Sequence, residues 1–217
     1  MSSSHLMRGS INNTFFPESA TYDAKFTQES YIELEKNPDE DFVILNLTDI
    51  QLGEENVFGK DGAYSFELIK KLVKDLQPDL ITLSGDNAWG YISYLETIEL
   101  LESFGIPWAP VFGNHDNDSK MGVAYQCKLF EDAPNCLFKR NTVTGNGNYT
   151  VGVAIDNELI RVIHMTDSNG CQADDPAITN LRGIYPDQFE RIQNATNAIR
   201  NYAKKDVPAF MAFHIPH

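Results

Sequence analysis

A chain of 217 residues, 42% hydrophobic and 22% charged, is long enough to bury one sizeable core and ordinary for a soluble globular protein. It contains no run near the ~18 apolar residues of a membrane-spanning helix. Its formal net charge of −14 argues against nucleic acid and anionic membranes as partners, because both reward clustered Lys and Arg.

Residues 1–41 are polar and turn-rich, with Pro17, Asn37-Pro38 and the acidic Asp39-Glu40-Asp41. They read as an irregular lead-in. Its start, Ser2-Ser3-Ser4-His5, looks cloning-derived and has no apolar centre of a secretory signal, so the compartment stays open. Three cysteines without a CxxC spacing exclude a zinc ribbon, while Cys127 and Cys136 could pair in an oxidising compartment and leave Cys171 free.

From residue 42 the pattern becomes regular. Period-two alternation predicts a strand over Phe42–Asp49, with Val43, Leu45, Leu47 and Asp49 on one face. Helical spacing of Phe66, Ile69, Val73 and Leu76 predicts a helix over Asp61–Gln77, stopped by Pro78. A strand over Asp79–Asp86, a helix over Tyr91–Phe104 closed by Gly105, and a strand over Trp108–Gly113 follow. Strand, helix, strand, helix, strand implies an α/β domain with a parallel sheet and right-handed crossovers. Two further strands, Asn148–Ile155 and Leu159–Asp167, flank a hairpin turn, and a helix over Pro186–Lys204 leads to a last strand, Val207–His214. No linker splits residues 42–217, which read as one domain.

Four of these strands end in residues with metal-ligand chemistry: Asp49, Asp86, Asn114 and His214. Ligands collect beyond the carboxyl ends of strands in open α/β sheets. Carboxylate, amide oxygen and imidazole together suit Mn, Fe or Zn better than Ca. Taken singly, each residue has a plainer reading: the aspartates as caps, Asn114 as turn chemistry, His214 as a satisfied core histidine. The set points to a shared centre. His164 reads as structural, and Asp167-Ser168-Asn169-Gly170 as a turn. No GxSxG elbow or GxxxxGK[ST] loop is present, which excludes serine-hydrolase and P-loop readings.

Asp49-Ile50-Gln51, Gly85-Asp86-Asn87-Ala88, Gly113-Asn114-His115-Asp116 and His214 resemble, in order and spacing, the motifs of the calcineurin-like metallophosphoesterase superfamily. Gly85-Asp86-Asn87-Ala88-Trp89-Gly90 and Phe213-His214-Ile215-Pro216 look most like its purple acid phosphatase branch. The resemblance implies a two-sheet β-sandwich flanked by helices and a centre of two divalent or trivalent ions. Asp49 would ligate the first ion, Asp86 would bridge both, and Asn114 and His214 would ligate the second. His115 would protonate the leaving oxygen and Asp116 would orient His115, while a metal-bound hydroxide attacks a small phosphomonoester or phosphodiester.

Two departures stand out. Gln51 occupies a position where most of the superfamily has His, and would be a weaker, neutral ligand through its side-chain oxygen. No GHxH follows His214, so the chain reads as stopping before that motif at His217. The rival expectations are a non-catalytic binding or scaffold module with a degraded first site, and a cyclic nucleotide phosphodiesterase.

Overall fold

The computed structural model describes residues 11–12, 31–52, 60–88, 90–116, 122–170 and 183–215; Trp89, Cys171 and His217 lie outside them. Three parallel strands, β3 (Ile44–Leu47), β4 (Leu80–Ser84) and β5 (Trp108–Val111), form one sheet in that order. Its crossovers are α1 (Lys60–Leu76) and α2 (Tyr91–Phe104). β4 buries Leu80, Ile81, Thr82 and Leu83 in succession, as expected of a strand covered on both faces. α2 ends where Gly105 takes the left-handed conformation (φ 60°) that a side chain resists.

The second sheet has the order β1 (Ile11–Asn12), β2 (Tyr31–Glu35), β6 (Tyr149–Ile155), β7 (Glu158–Met165), β8 (Ala209–Ala212). β6 and β7 form the expected hairpin, turning through Asp156 and Asn157 at φ 51° and 64°. α3 (Val123–Asp132) follows β5, and α4 (Pro186–Ala203) precedes β8. α4 opens with Pro186 in its first turn, and the Gln188 side chain accepts the Tyr185 N–H at 2.9 Å, closing a capping box.

The two sheets share one apolar core. Ile32, Val151 and Ile163 of the five-stranded sheet meet Ile81, Leu83 and Val111 of the three-stranded one, and the Tyr149 hydroxyl donates across to the Pro110 carbonyl at 2.8 Å. The alternate residues Tyr31, Leu159 and Val162 pack outward against Ala195 and Ile199 of α4. This is an α/β architecture of two sheets flanked by helices.

Several expectations need correction. The lead-in is not irregular throughout: Tyr31–Glu35 is a strand pairing in parallel with β6, and Ile32 and Leu34 enter the core. Its outward residues hid the signal, since the Tyr31 hydroxyl donates to the buried Glu33 carboxylate at 2.6 Å. α3 was not foreseen, although Val123, Cys127 and Phe130 form a buried stripe at helical spacing. Cys127 and Cys136 are both free thiols, and burial pushes the Cys127 thiol up to about 12. Among the described residues no helix is long and apolar enough to cross a membrane.

Candidate metal centre

The carboxyl ends of β3, β4, β5 and β8 deliver Asp49, Asp86, the Asn114-His115 pair and His214 to one place. Two glycines make the approach close enough. A side chain at Gly85 (φ 93°) would put its Cβ 2.8 Å from the Gly113 backbone and from His214 Cβ; one at Gly113 would lie 2.1 Å from Asp86 Oδ1. The glycines of both motifs therefore exist for contact between loops.

β3 ends at Leu47, so Asp49 does not continue the strand face as expected, and Gln51 also lies beyond the strand. Both leave the strand in left-handed conformations (φ 53° and 50°), as does Asp86 (φ 51°). Such strain costs on the order of 1–3 kcal/mol per residue and persists only when neighbours enforce it. Here Asp49 N–H donates to the Gly85 carbonyl at 3.1 Å, and Gln51 N–H to the Asp86 carbonyl at 2.9 Å.

One ligand atom each from Asp49, Asp86 and His214 lies within 4.8 Å of the others. His214 Nδ1 sits 2.9 Å from the Ser84 carbonyl, which only accepts, so Nδ1 carries a proton and Nε2 faces Asp86 Oδ1 at 3.4 Å. The hydrogen bond and charge of Asp86 raise the His214 pKa above its ordinary value. Burial is the largest single influence on Asp86 and pushes its pKa up; bonds from His214, His115 N–H and Gln51 together carry it below the usual carboxylate range. Two carboxylates and one imidazole nitrogen in this arrangement fit a divalent first-row cation.

Gln51 is placed differently from expectation. Its Nε2 donates to Asp86 Oδ2 at 3.0 Å and to Asp49 Oδ1 at 3.3 Å, so the amide nitrogen, not the oxygen, faces the carboxylates. The Gln51 amide thereby bridges the two carboxylates, while the Thr48 hydroxyl donates to Asp49 Oδ2 at 2.7 Å. Asn114 and His115 are half-buried on the β5 exit turn. His115 N–H donates to Asp86 Oδ1 at 2.9 Å, which fixes the turn against the cluster.

Asp116, expected to orient His115, has its carboxylate taken up by backbone N–H groups and a tyrosine hydroxyl. It is fully buried, and its carboxylate accepts N–H groups from Gly113 (2.6 Å), Asn87 (2.8 Å), Asp86 (3.0 Å) and Ala88 (3.3 Å), plus the Tyr94 hydroxyl (2.6 Å). It clamps the two glycine turns together. Burial pushes its pKa up to about 6 even against those bonds. The resemblance implied a partner for His115; the bonds Asp116 makes are to buried N–H groups that needed an acceptor.

Sequence reasoning also passed over Tyr94 and Gln126, and took Ser168 only as part of the Asp167–Gly170 turn. Tyr94 and Gln126 hold Asp116 by its carboxylate and carbonyl. Ser168 holds the backbone of His214 and Ile215. No motif marks Tyr94 or Gln126; a polar side chain on an otherwise buried helix face was the available signal for both.

Comparison with known proteins matches the calcineurin-like phosphoesterase family model over residues 42–185. The chain is 28% identical over 153 residues to the probable inactive purple acid phosphatase 14 of Arabidopsis thaliana, covering 56% of this chain and 36% of that protein. It is 32% identical over 97 residues to that plant's probable inactive purple acid phosphatase 28, covering 37% and 24%. The probable inactive purple acid phosphatase 29 is 23% identical over 216 residues, covering 81% and 54%. The chain thus spans between a quarter and about half of the length of these relatives. With the family model covering most of the sequence and the metal-capable side chains converging at its strand ends, the chain belongs to the calcineurin-like phosphoesterase family.

Proposed function

We propose that this chain carries the centre of a metal-dependent phosphoester hydrolase acting on a small phosphomonoester or phosphodiester. The observation that carries the reading is the convergence of Asp49, Asp86 and His214 within 4.8 Å. Asp49, Asp86 and His214 would hold a first-row cation, with Asn114 and Gln51 as amide ligands completing a two-ion centre if Gln51 turns its oxygen inward. A bound cation supplies positive charge against the phosphoryl oxygens and the acidity that makes water a nucleophile. The protein's own part is positional. Ser84 fixes the His214 ring by its carbonyl, Asp116 holds the Asp86 and Asn114 turns in register, and His115 donates a proton to the departing oxygen, a contribution of ~10²–10⁴-fold.

A second reading has specific support: the relatives carry the words "probable inactive" in their names, and the Gln51 amide already bridges the two carboxylates. In that reading the same fold is a binding module with a weakened cation site.

Turnover of p-nitrophenyl phosphate and bis(p-nitrophenyl) phosphate by protein loaded with Mn²⁺, Fe or Zn²⁺ separates the two. The enzyme reading expects hydrolysis that falls ~10²–10⁴-fold in His115→Ala with metal content unchanged. The ratio of the two substrates reports monoester against diester preference. No turnover of either ester with a fully loaded cluster would leave the binding module standing and the hydrolase wrong.

A further inference from the structure

We propose that Ser168 is the positioning residue of His214, and that the buried turn around it governs how well the cluster holds a cation. This rests on the metal-dependent reading above. The β7–β8 ladder ends at the pair Met165 and Ala212, with Thr166 N–H still reaching the Ala212 carbonyl at 2.9 Å. Beyond that point the strand backbone has no sheet partner among the described residues, yet His214 and Ile215 remain partly buried. Ser168 continues the pairing with a side chain: its fully buried hydroxyl oxygen accepts His214 N–H at 3.3 Å and Ile215 N–H at 2.8 Å.

His214 is therefore anchored twice, from different sheets. The five-stranded sheet holds its main chain through Ser168, and the three-stranded sheet holds its ring through the Ser84 carbonyl. Together the anchors fix which ring nitrogen faces the carboxylates.

Ser168 is itself braced. The Asp167 carboxylate accepts Asn146 N–H at 2.6 Å and Asn169 N–H at 2.8 Å, closing the turn on both sides. Gln188 Nε2 of α4 donates to the Asp167 carbonyl at 2.7 Å. A ligand held by a rigid, hydrogen-bonded support loses less order on binding a cation. The same turn supplies a control: Thr166 Oγ1 is buried and has no hydrogen-bond partner among the described residues.

The test compares the parent protein with Ser168→Ala and Thr166→Val by Mn²⁺ titration, and by the NMR signal of the His214 Nδ1–H without metal. Ser168→Ala is expected to weaken Mn²⁺ about 10- to 100-fold and to lose or broaden the ring signal, with Thr166→Val within about twofold of the parent. Parent-like affinity and signal in Ser168→Ala, or equal loss in Thr166→Val, overturns the proposal. If the parent binds no Mn²⁺ while Ser168→Ala still loses the ring signal, positioning stands and the metal reading falls. Amide exchange of His214 and Ile215 in the unaltered protein is a check that needs no variant: exchange as slow as in the β7–β8 ladder supports the anchor, and exchange as fast as in exposed loops overturns it.

Discussion

The loop ends above the three-stranded sheet and the layer beneath α4 both gather polar side chains, and they resolve them in opposite ways. At the loop ends, Asp49, Asp86 and His214 point ligand atoms at one another, on a backbone strained at three non-glycine positions. The two carboxylates are met by neutral donors: the Gln51 amide on both, the Thr48 hydroxyl on Asp49 and His115 N–H on Asp86. Beneath α4, Gln188 uses its oxygen for Asn169 Nδ2 and Tyr185 N–H, and its nitrogen for Asn148 Oδ1 and the Asp167 carbonyl. Both polar atoms of the Gln188 side chain are thereby taken up by the protein itself. A buried polar group serves structure when its bonds are complete, and it is available for binding when they converge without a partner of opposite charge.

Asp116 lies between these extremes, and its loss has the largest expected effect. Asp116→Ala removes the acceptor of four backbone N–H groups and a tyrosine hydroxyl in a buried setting. Each unmatched donor costs ~1–3 kcal/mol, so a loss of about 4 kcal/mol or more in urea unfolding is expected, a large part of typical domain stability. A variant as stable as the parent would return Asp116 to the role of partner for His115.

The layer beneath α4 makes its prediction through pH. His164 is buried, lies 3.1 Å from Thr150 Oγ1, and is held down to about 4 by burial and then by the Arg191 charge. Its folded pKa is below the ordinary 6.5, so its contribution is complete above pH 6.5 and is lost as pH falls through 4. The loss amounts to roughly 3 kcal/mol by pH 4. The His164→Gln protein should lack this part of the acid slope in urea titrations at pH 7 and pH 4.5. Parallel slopes for the two proteins would contradict the placement.

The smallest effect belongs to the open cluster. Gln51→Glu replaces an amide donor with a third carboxylate beside Asp49 and Asp86. Without metal the like charges should destabilise the fold by about 1 kcal/mol or less, and with Mn²⁺ the affinity should rise about tenfold. Unchanged Mn²⁺ affinity on titration would mean that residue 51 does not face the cation.

The regular part of the fold was legible because apolar spacing is local. α2 runs over Tyr91–Phe104 as expected, with Tyr94, Thr97, Leu100 and Leu101 on its buried side, and the β6–β7 turn falls at Asp156-Asn157. β2 was not legible, since its pairing partner β6 lies far along the chain and alternate residues are a tyrosine and two glutamates. The same division holds at the centre. The motif residues Asp49, Asp86 and His214 could be named from type and spacing, and they meet. The roles of Gln51 and Asp116 could not, because which atom faces which neighbour depends on left-handed turns and buried N–H groups that no periodicity encodes.

The most direct test of the central claim is anomalous diffraction from crystals of the protein soaked in Mn²⁺. The account predicts a peak within coordination distance of Asp49, Asp86 and His214, lost in His214→Ala crystals. A parent crystal with no peak there, or a peak that survives unchanged in His214→Ala, would contradict it.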